Sequence, residues 1–218
     1  MFDFYTQQIA ACDAEVERQF VAVKPRWNAP DDLPPLPPVK HGSKSKNKPA
    51  ESTRRELFRI VGVDVVAVDG ISTGLAQTIL TEIGADVAAW PSVKHFASWL
   101  TLAPHNDISG GKILRSRTLK SDNRAGQAFK QAAASVIRSN SAFGAFYRRK
   151  RTQIGPQQAL VATAHKIART VYIMLKYKVP YQDIGATEYE SQQRERELAS
   201  LKRRAAKLGF DLTAREAT

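Results

Sequence analysis

The chain has 218 residues, a formal net charge of +12 and an apolar fraction of 43%, which together allow one or two domains with a hydrophobic core. Its single cysteine, Cys12, excludes a disulfide framework, and its four histidines lack the spacing and the thiolate companions of a zinc site. The sequence shows neither a signal peptide nor an apolar run of membrane length, so we expect a cytoplasmic protein with no membrane contact.

The positive charge is concentrated in one segment of the chain. Residues 111–154 contain eleven Lys and Arg residues and one acidic residue, Asp122, whereas residues 1–110 carry a net charge of −2. A basic segment of this kind suits the sugar-phosphate backbone of a nucleic acid. Solvated protein surfaces usually intersperse acidic residues among the basic ones, so this segment favours a nucleic-acid partner over a simple solvated face.

Residues 1–23 have the apolar periodicity of an amphipathic helix. Six apolar residues recur at spacings of three and four: Tyr5, Ile9, Cys12, Val16, Phe20 and Val23. This stripe predicts either a short coiled coil or a helix that docks on its own domain. Residues 24–54 contain seven prolines and a lysine-rich run at 44–48, which predicts an extended linker or arm.

A helical domain is expected over residues 55–182, with Ser52 as a candidate N-cap near its start. Within it, residues 65–80 predict a short apolar helix, a tight turn at Asp69-Gly70 and a second helix. This order resembles a helix-hairpin-helix element, whose turn N–H groups bind a backbone phosphate without reading sequence. Asp69 would repel a phosphate, so a purely structural hairpin is the alternative.

Further helices are predicted after this element. They begin at Pro91-Ser92, at Ser121 or Asp122, at Ser141 and at Gln157. The helix over 157–177 has the broad apolar stripe of a central core helix, and residues 183–218 form a charged helix and tail with coiled-coil spacing. The sequence contains no convincing strand. We therefore expect a mostly α fold, with flanking amphipathic, coiled-coil-type helices and a proline-rich linker.

Residues 103–117 predict an exposed loop that carries a candidate reactive serine. Ser109 precedes two glycines, which let its hydroxyl and the nearby backbone N–H groups approach a ligand closely. A hydroxyl surrounded by cations suits attack on a phosphate, or binding of one. The alternative is an ordinary loop in which this serine only caps a turn. The candidate nucleic-acid-binding residues are Gly110, Gly111, Lys112, Arg115, Arg117, Lys120, Asn123 and Arg124.

An ordered series of motifs extends across the predicted domain. Its members are Gly70-Ile71, Ile79-Leu80-Thr81-Glu82-Ile83-Gly84, Trp90-Pro91-Ser92, Leu102-Ala103-Pro104, Ser109-Gly110-Gly111-Lys112, Asn123-Arg124, His165-Lys166-Ile167-Ala168-Arg169 and Pro180-Tyr181. Together they resemble the C-terminal domain of insertion sequence 110 family transposases, over roughly residues 57–182. The order of the motifs makes this resemblance specific, since each motif alone would be weak evidence for the family.

The resemblance implies a role for each matched residue. Ser109 would be the nucleophile that forms a covalent phosphoserine link to DNA, residues 110–112 would shape the loop around it, and Asn123 and Arg124 would stand at the helix start behind it. Asp122 departs from the pattern, which has glycine there. Family members join this domain, through a coiled coil, to a RuvC-like domain with four acidic metal ligands, and several use a structured guide RNA.

The RuvC-like domain is missing from this sequence, so the resemblance implies a truncated transposase. We expect it to bind DNA, and to recombine DNA by serine attack only with a RuvC-like partner domain. No metal site or cofactor is expected in this chain, because the divalent metal belongs to the missing domain. The expected partners are DNA, a structured guide RNA, and another copy or a full-length transposase. The alternatives are a non-catalytic DNA- or RNA-binding module and a helical protein whose basic face binds an acidic partner.

Overall fold

The computed structural model describes residues 2–28, 30, 33–38, 51–118 and 123–213. Its helices are α1 (Phe2–Ala22), α2 (Glu51–Val61), α3 (Thr73–Ile83), α4 (Val93–Trp99), α5 (Arg124–Ser135), α6 (Ala142–Ile154), α7 (Pro156–Tyr177) and α8 (Gly185–Lys207). A 3₁₀ turn (Val65–Ala67) and a two-stranded β-hairpin complete these ranges, so the predicted mostly α fold is confirmed. None of the described helices combines the length and apolar character that crossing a bilayer requires.

Helix α7 is the central element of the core. It starts with Pro156 at its first turn, where a proline costs no backbone hydrogen bond. The apolar stripe predicted for it is buried, as shown by Ala164, Ile167, Ala168, Val171, Met174 and Leu175. Helices α4, α5 and α6 pack against it, and α3 packs against α5. This arrangement brings the start of α5 and the middle of α7 to the same side as the chain that follows α4.

The first residues of the predicted linker pack against α2. The Trp27 indole N–H donates a 2.9 Å hydrogen bond to the Arg59 carbonyl, and its ring covers Gly62, where an added Cβ would lie 2.8 Å from it. Helix α2 begins at Glu51, so Ser52 lies inside the helix and is not its N-cap. The lysine run at 44–48 lies outside the described residues.

Helix α1 is anchored at its C-terminal end. The Arg59 guanidinium donates to three carbonyl oxygens there, those of Phe20, Val21 and Val23, at 2.8, 3.2 and 3.0 Å. The apolar stripe of α1 is exposed towards its other end, where Tyr5 is 59% exposed. Helix α8 packs against α6, and its predicted stripe is exposed at Leu198, Leu201 and Leu208. A coiled coil of either helix stays a prediction.

The Asp69-Gly70 turn packs against the core. A single 3₁₀ turn precedes it, where the sequence predicted a short α-helix, and α3 follows with Ser72 as its N-cap. Gly70 lies so close to α5 that an added Cβ would be 2.5 Å from the Ala132 carbonyl oxygen. Asp69 is 9% exposed and accepts a hydrogen bond from Tyr181. These contacts give the turn a structural role, and phosphate binding by it stays a prediction.

The predicted loop is a β-hairpin, which corrects the expectation that the chain has no strand. Strands β1 (Pro104–Ser109) and β2 (Lys112–Thr118) pair antiparallel. Gly110 and Gly111 form the two-residue connection with φ angles of 56° and 75°. Positive φ at both positions is the conformation that short hairpins favour, because its twist matches that of the strands. Glycine adopts it without strain.

Candidate nucleic-acid interface

Ser109 is the last residue of β1 and is exposed at the tip of the hairpin. The register pairs it with Lys112 directly across the Gly110-Gly111 turn. Directly opposed residues in antiparallel strands have their Cβ atoms about 5 Å apart. The hairpin therefore brings Ser109 and Lys112 together, and their roles as nucleophile and cation stay predictions.

The hairpin also places basic positions along β2. Arg115 pairs with Asp107, and Arg117 pairs with His105. The two arginines therefore occupy alternate positions of β2. On β1, Nε2 of His105 lies 3.7 Å from Oδ1 of Asp107. Lys120 lies outside the described residues.

A bulge interrupts the pairing in the middle of the hairpin. Asp107 pairs with Arg115 and the next residue, Ile108, pairs with Ile113, so Leu114 is the extra residue of β2. Bulges bend a strand and increase its twist. Ile108 and Leu114 are 63% and 71% exposed, so the hairpin carries two large apolar side chains on its surface.

The hairpin extends from the helical body, since its strands pack chiefly on one another. Among the described residues, no side chain or backbone group is hydrogen-bonded to the Ser109 hydroxyl. This hydroxyl is exposed, and none of the side chains that the structure describes is bonded to it as a base.

Asn123 has a structural role at the start of α5. Its side-chain oxygen accepts a 2.8 Å hydrogen bond from the Gly126 N–H, and its amide donates to the Trp99 carbonyl at 3.2 Å. It is therefore the N-cap of α5 and ties that helix to the end of α4. The caps predicted from sequence, Ser121 and Asp122, lie outside the described residues.

Arg124 is the first residue of α5 and is exposed. It forms an ion pair with Glu82, near the end of α3, at 3.2 Å. A cation at a helix N-terminus and an anion at a helix C-terminus both oppose the helix dipole. The pair offsets these two unfavourable placements, and an exposed pair of this kind is weak enough to exchange for a phosphate.

A second group of cations lies at the foot of the hairpin, at residues that were not predicted from the sequence as a binding site. A cavity of about 380 Å³ is lined there by Leu102, Pro104, Phe146, Ala162, His165, Lys166 and Arg169. The Lys166 ammonium lies 4.6 Å from the ring centroid of Phe146 and 4.4 Å from that of Tyr189. The feature that marks this site is a cation of α7 beside aromatic rings of α6 and α8. The sequence alone does not show it, because it depends on how these three helices pack together.

Burial and neighbouring positive charges lower the pKa values of two residues that line this cavity. Burial lowers the pKa of Lys166 to about 8, with Arg149, Arg196 and Arg169 acting in the same direction. Burial, together with Arg169, also lowers the pKa of His165. Within the described ranges, no carboxylate lies within ion-pair distance of His165, Lys166 or Arg169.

The four-carboxylate metal site implied by the resemblance finds no counterpart in the described residues. Between residues 2–28, 51–118 and 123–213, no group of three or more His, Cys, Asp or Glu side chains is placed to hold a metal ion.

Residues 65–148 match the family model described as Transposase IS116/IS110/IS902 family. The matched segment begins at the 3₁₀ turn, contains the whole hairpin with Ser109, and ends within α6. Comparison with curated proteins gave no match.

Proposed function

We propose that this chain, which carries a domain of the transposase IS116/IS110/IS902 family over residues 65–148, binds DNA through its β-hairpin and supplies Ser109 as a nucleophile. The observation that carries the proposal is the exposure of Ser109 at the hairpin tip, opposite Lys112 and inside the matched segment. A nucleophile for a polymer as large as DNA has to be reachable from outside, and a projecting hairpin meets that requirement.

The proposed chemistry is a phosphoryl transfer. The Ser109 Oγ forms a bond to a DNA phosphorus atom, and the bond from that phosphorus to one deoxyribose oxygen breaks. The serine proton passes to a base that water or a partner domain supplies, and the leaving oxygen takes up a proton from water or that domain and departs as a hydroxyl. Lys112 would stabilise the charge that develops on the phosphate oxygens. Attack by another DNA hydroxyl would reverse the step and join new ends.

The shape of the hairpin supports DNA as the substrate. The major groove of DNA admits a two-stranded β-ribbon. The glycines at the tip have open space around them, and exposed Ile108 and Leu114 offer apolar surface for contacts with bases or sugars. Arg115 and Arg117 occupy positions along the same ribbon, and Arg124 is available once it leaves Glu82.

Recombination would require more than this chain. We propose that a RuvC-like domain on another polypeptide or segment supplies the metal-dependent part of the reaction, which agrees with the lack of a described partner for the Ser109 hydroxyl. A structured guide RNA and assembly with another copy or with a full-length transposase belong to the same proposal.

The test is a complementation experiment. End-labelled duplex DNA would be mixed with the 24.2 kDa chain and a full-length family transposase whose own nucleophile has been replaced by alanine. We expect a denaturation-resistant labelled band at the mass of this chain plus DNA. Ser109→Ala should abolish the band, whereas Ser116→Ala, in the same hairpin, should retain it. A band that persists in Ser109→Ala would exclude this serine as the nucleophile.

A non-catalytic DNA-binding module is the second candidate function. It is favoured by a hairpin that packs chiefly on itself and by the Ser109 hydroxyl, to which no described group is bonded. In that case no covalent band forms with any partner, and Ser109→Ala binds DNA as tightly as the original chain. Salt-dependent DNA binding without a covalent product would therefore select this candidate.

A further inference from the structure

The cavity at the foot of the hairpin brings basic side chains of α7 together, and the part of the chain that the structure describes places no carboxylate within ion-pair distance of them. His165, Lys166 and Arg169 line it from α7, and no described carboxylate pairs with any of them. Arg149 of α6 is next to this group, because its guanidinium carbon lies 5.9 Å from the same Tyr189 ring that Lys166 contacts. Groups of like charge near a partly dry cavity raise the free energy of the folded state.

The aromatic rings hold the cations in place but do not neutralise them. Phe146 and Tyr189 stand close to the Lys166 ammonium, and a ring face stabilises a cation only in part. The Nε of Arg149 is buried and has no hydrogen-bond partner within the described ranges, although its Nη2 donates to the Tyr189 hydroxyl at 2.9 Å. The described residues of this site thus present hydrogen-bond donors and an excess of positive charge, an arrangement that favours binding of an anion.

The position of the cavity indicates which anion it would take. Pro104 lines the cavity and is also the first residue of β1, while Ser109 is the last residue of that strand. The five steps from the first to the last residue of this strand span about 17 Å. Since a DNA strand advances about 3.4 Å per nucleotide along the duplex axis, this distance corresponds to roughly five base pairs. A nucleic-acid backbone that follows the hairpin from its tip would reach the cavity.

We infer that this cavity binds a phosphodiester group of the nucleic-acid strand whose other end meets the hairpin tip, with Lys166 and Arg169 as its main contacts. The inference rests on the proposed function, because it assumes that nucleic acid lies along the hairpin. It adds a second contact, in the helical body, to the one at Ser109. A projecting hairpin with a fixed contact at its foot would hold the strand in one register.

Binding at this site should depend on pH through the cavity residues. The charged and titratable groups that face Lys166 are Arg149 on α6, His165 and Arg169 on α7, and Tyr189 and Arg196 on α8, with Tyr181 and Asp183 lining the adjoining cavity. A bound phosphate raises the pKa of a neighbouring amine. Affinity should therefore fall as the pH rises above about 8, where free Lys166 loses its proton.

The first experiment measures the affinity for a labelled 20-base-pair DNA duplex over a range of salt concentrations. We expect Lys166→Met to weaken binding roughly tenfold at moderate salt and to reduce the salt slope by about one, as loss of one phosphate contact should. Lys202→Met, on the exposed part of α8, removes the same charge away from the cavity and should bind within about twofold of the original chain.

The second experiment follows Lys166 itself by acylation of amines and mass spectrometry. Bound duplex DNA should protect Lys166 severalfold and Lys202 hardly at all. Single-stranded RNA in parallel shows whether an RNA backbone occupies the same site, and inorganic phosphate shows whether the phosphate group alone is sufficient. Protection by any of these probes at Lys166 supports the phosphate site.

The outcomes separate this inference from the proposed function. If the chain binds DNA but Lys166→Met and Lys202→Met behave alike, and Lys166 is labelled equally with and without nucleic acid, the cavity is not a phosphate site and the hairpin proposal stands. If neither DNA nor RNA binds to the original chain, both proposals fail together.

Discussion

The Tyr181 hydroxyl donates a 2.9 Å hydrogen bond to Asp69, which is 112 positions earlier in the chain. The bond joins the segment after α7 to the turn before α3. The Tyr181 ring also stacks on Phe143, with 5.9 Å between ring centroids and 7° between ring planes. Burial and the neighbouring Asp69 carboxylate raise the pKa of Tyr181, so the hydroxyl remains a donor throughout the neutral range.

Tyr181→Phe should therefore destabilise the fold. It removes one hydrogen bond to a charged group and leaves the Asp69 carboxylate in a mostly buried position, for an expected loss of about 2 kcal/mol of unfolding free energy. Urea denaturation at pH 7 would measure the loss. Tyr177→Phe, at an exposed tyrosine of α7, is the matched control and should change stability by less than about 0.5 kcal/mol.

The same bond predicts how stability changes in alkali. The folded pKa of Tyr181 is raised above its unfolded value, so the contribution of this residue is complete below pH 10 and declines as the pH rises above that value. The stability difference between the original chain and Tyr181→Phe should shrink above pH 10. A constant difference up to pH 11 would contradict the raised pKa.

Lys166→Met should stabilise the protein at neutral pH. Methionine keeps the aromatic contacts and removes a desolvated charge from among three arginines, so we expect a gain of about 1 kcal/mol. The folded pKa of about 8 lies below the unfolded value, so the original chain itself gains stability between pH 8 and about 10.4. The advantage of the variant should therefore diminish over that range in urea titrations. A less stable variant at pH 7 would show that the ammonium is satisfied in the fold.

Asn123 offers a test that separates capping from nucleic-acid binding. Asn123→Ala removes the hydrogen bond to the Gly126 N–H and should cost about 1 kcal/mol of stability. Asn123→Ser retains a capping oxygen and should cost less. If capping is the only role of this residue, the serine variant binds DNA normally in anisotropy titrations. Weakened binding by a stable serine variant would instead support the direct contact implied by the resemblance.

Glu82→Gln should increase affinity for DNA. The substitution releases Arg124 from its ion pair and removes one negative charge beside the first residue of α5. Stability should change by less than about 0.5 kcal/mol, because the pair is exposed. DNA binding at low salt should tighten a few-fold, with the gain lost at high salt. Glu195→Gln, at an exposed position of α8, is the charge-matched control, and an equal gain from it would mean that only net charge matters.

Gly111 should tolerate only residues that accept positive φ. No atom lies within 4 Å of the position where its Cβ would stand, so the constraint is the φ of 75° and not the available space. Gly111→Asn should therefore preserve the hairpin, whereas Gly111→Val should destabilise it by roughly 1–2 kcal/mol. Hydrogen exchange of the β1 and β2 amides would report this difference, and equal protection in the two variants would contradict it.

Sequence periodicity predicted α7 well because that helix buries one continuous stripe. The hairpin was missed for the opposite reason. Its described side chains are largely exposed, so its sequence lacks the alternation of apolar and polar residues that marks a half-buried strand. Only the Gly110-Gly111 pair indicated a turn. The position of Ser109 opposite Lys112 depends on strand pairing, which the loop interpretation did not include.

The other differences arise from contacts between distant residues. Trp27 packs against Gly62 and hydrogen-bonds to the Arg59 carbonyl. This part of the proline-rich segment therefore packs on the helical domain, although its composition predicted an extended linker. Asn123 is the N-cap of α5, whereas the sequence predicted Ser121 or Asp122 as the cap. The side chain of Asn123 also donates a hydrogen bond to the Trp99 carbonyl. Local sequence gives no information about these partners, because each depends on how the helices meet.

The two-residue turn of the hairpin has a consequence for how the tip can vary among related proteins. Side chains alternate between the faces of a strand, so one inserted residue would send every residue beyond it to the opposite face. Substitutions that accept the backbone conformation are tolerable there, whereas a change in length would separate Ser109 from Lys112 at once. The tip therefore accepts substitutions by residues that adopt positive φ, but no change in the number of residues.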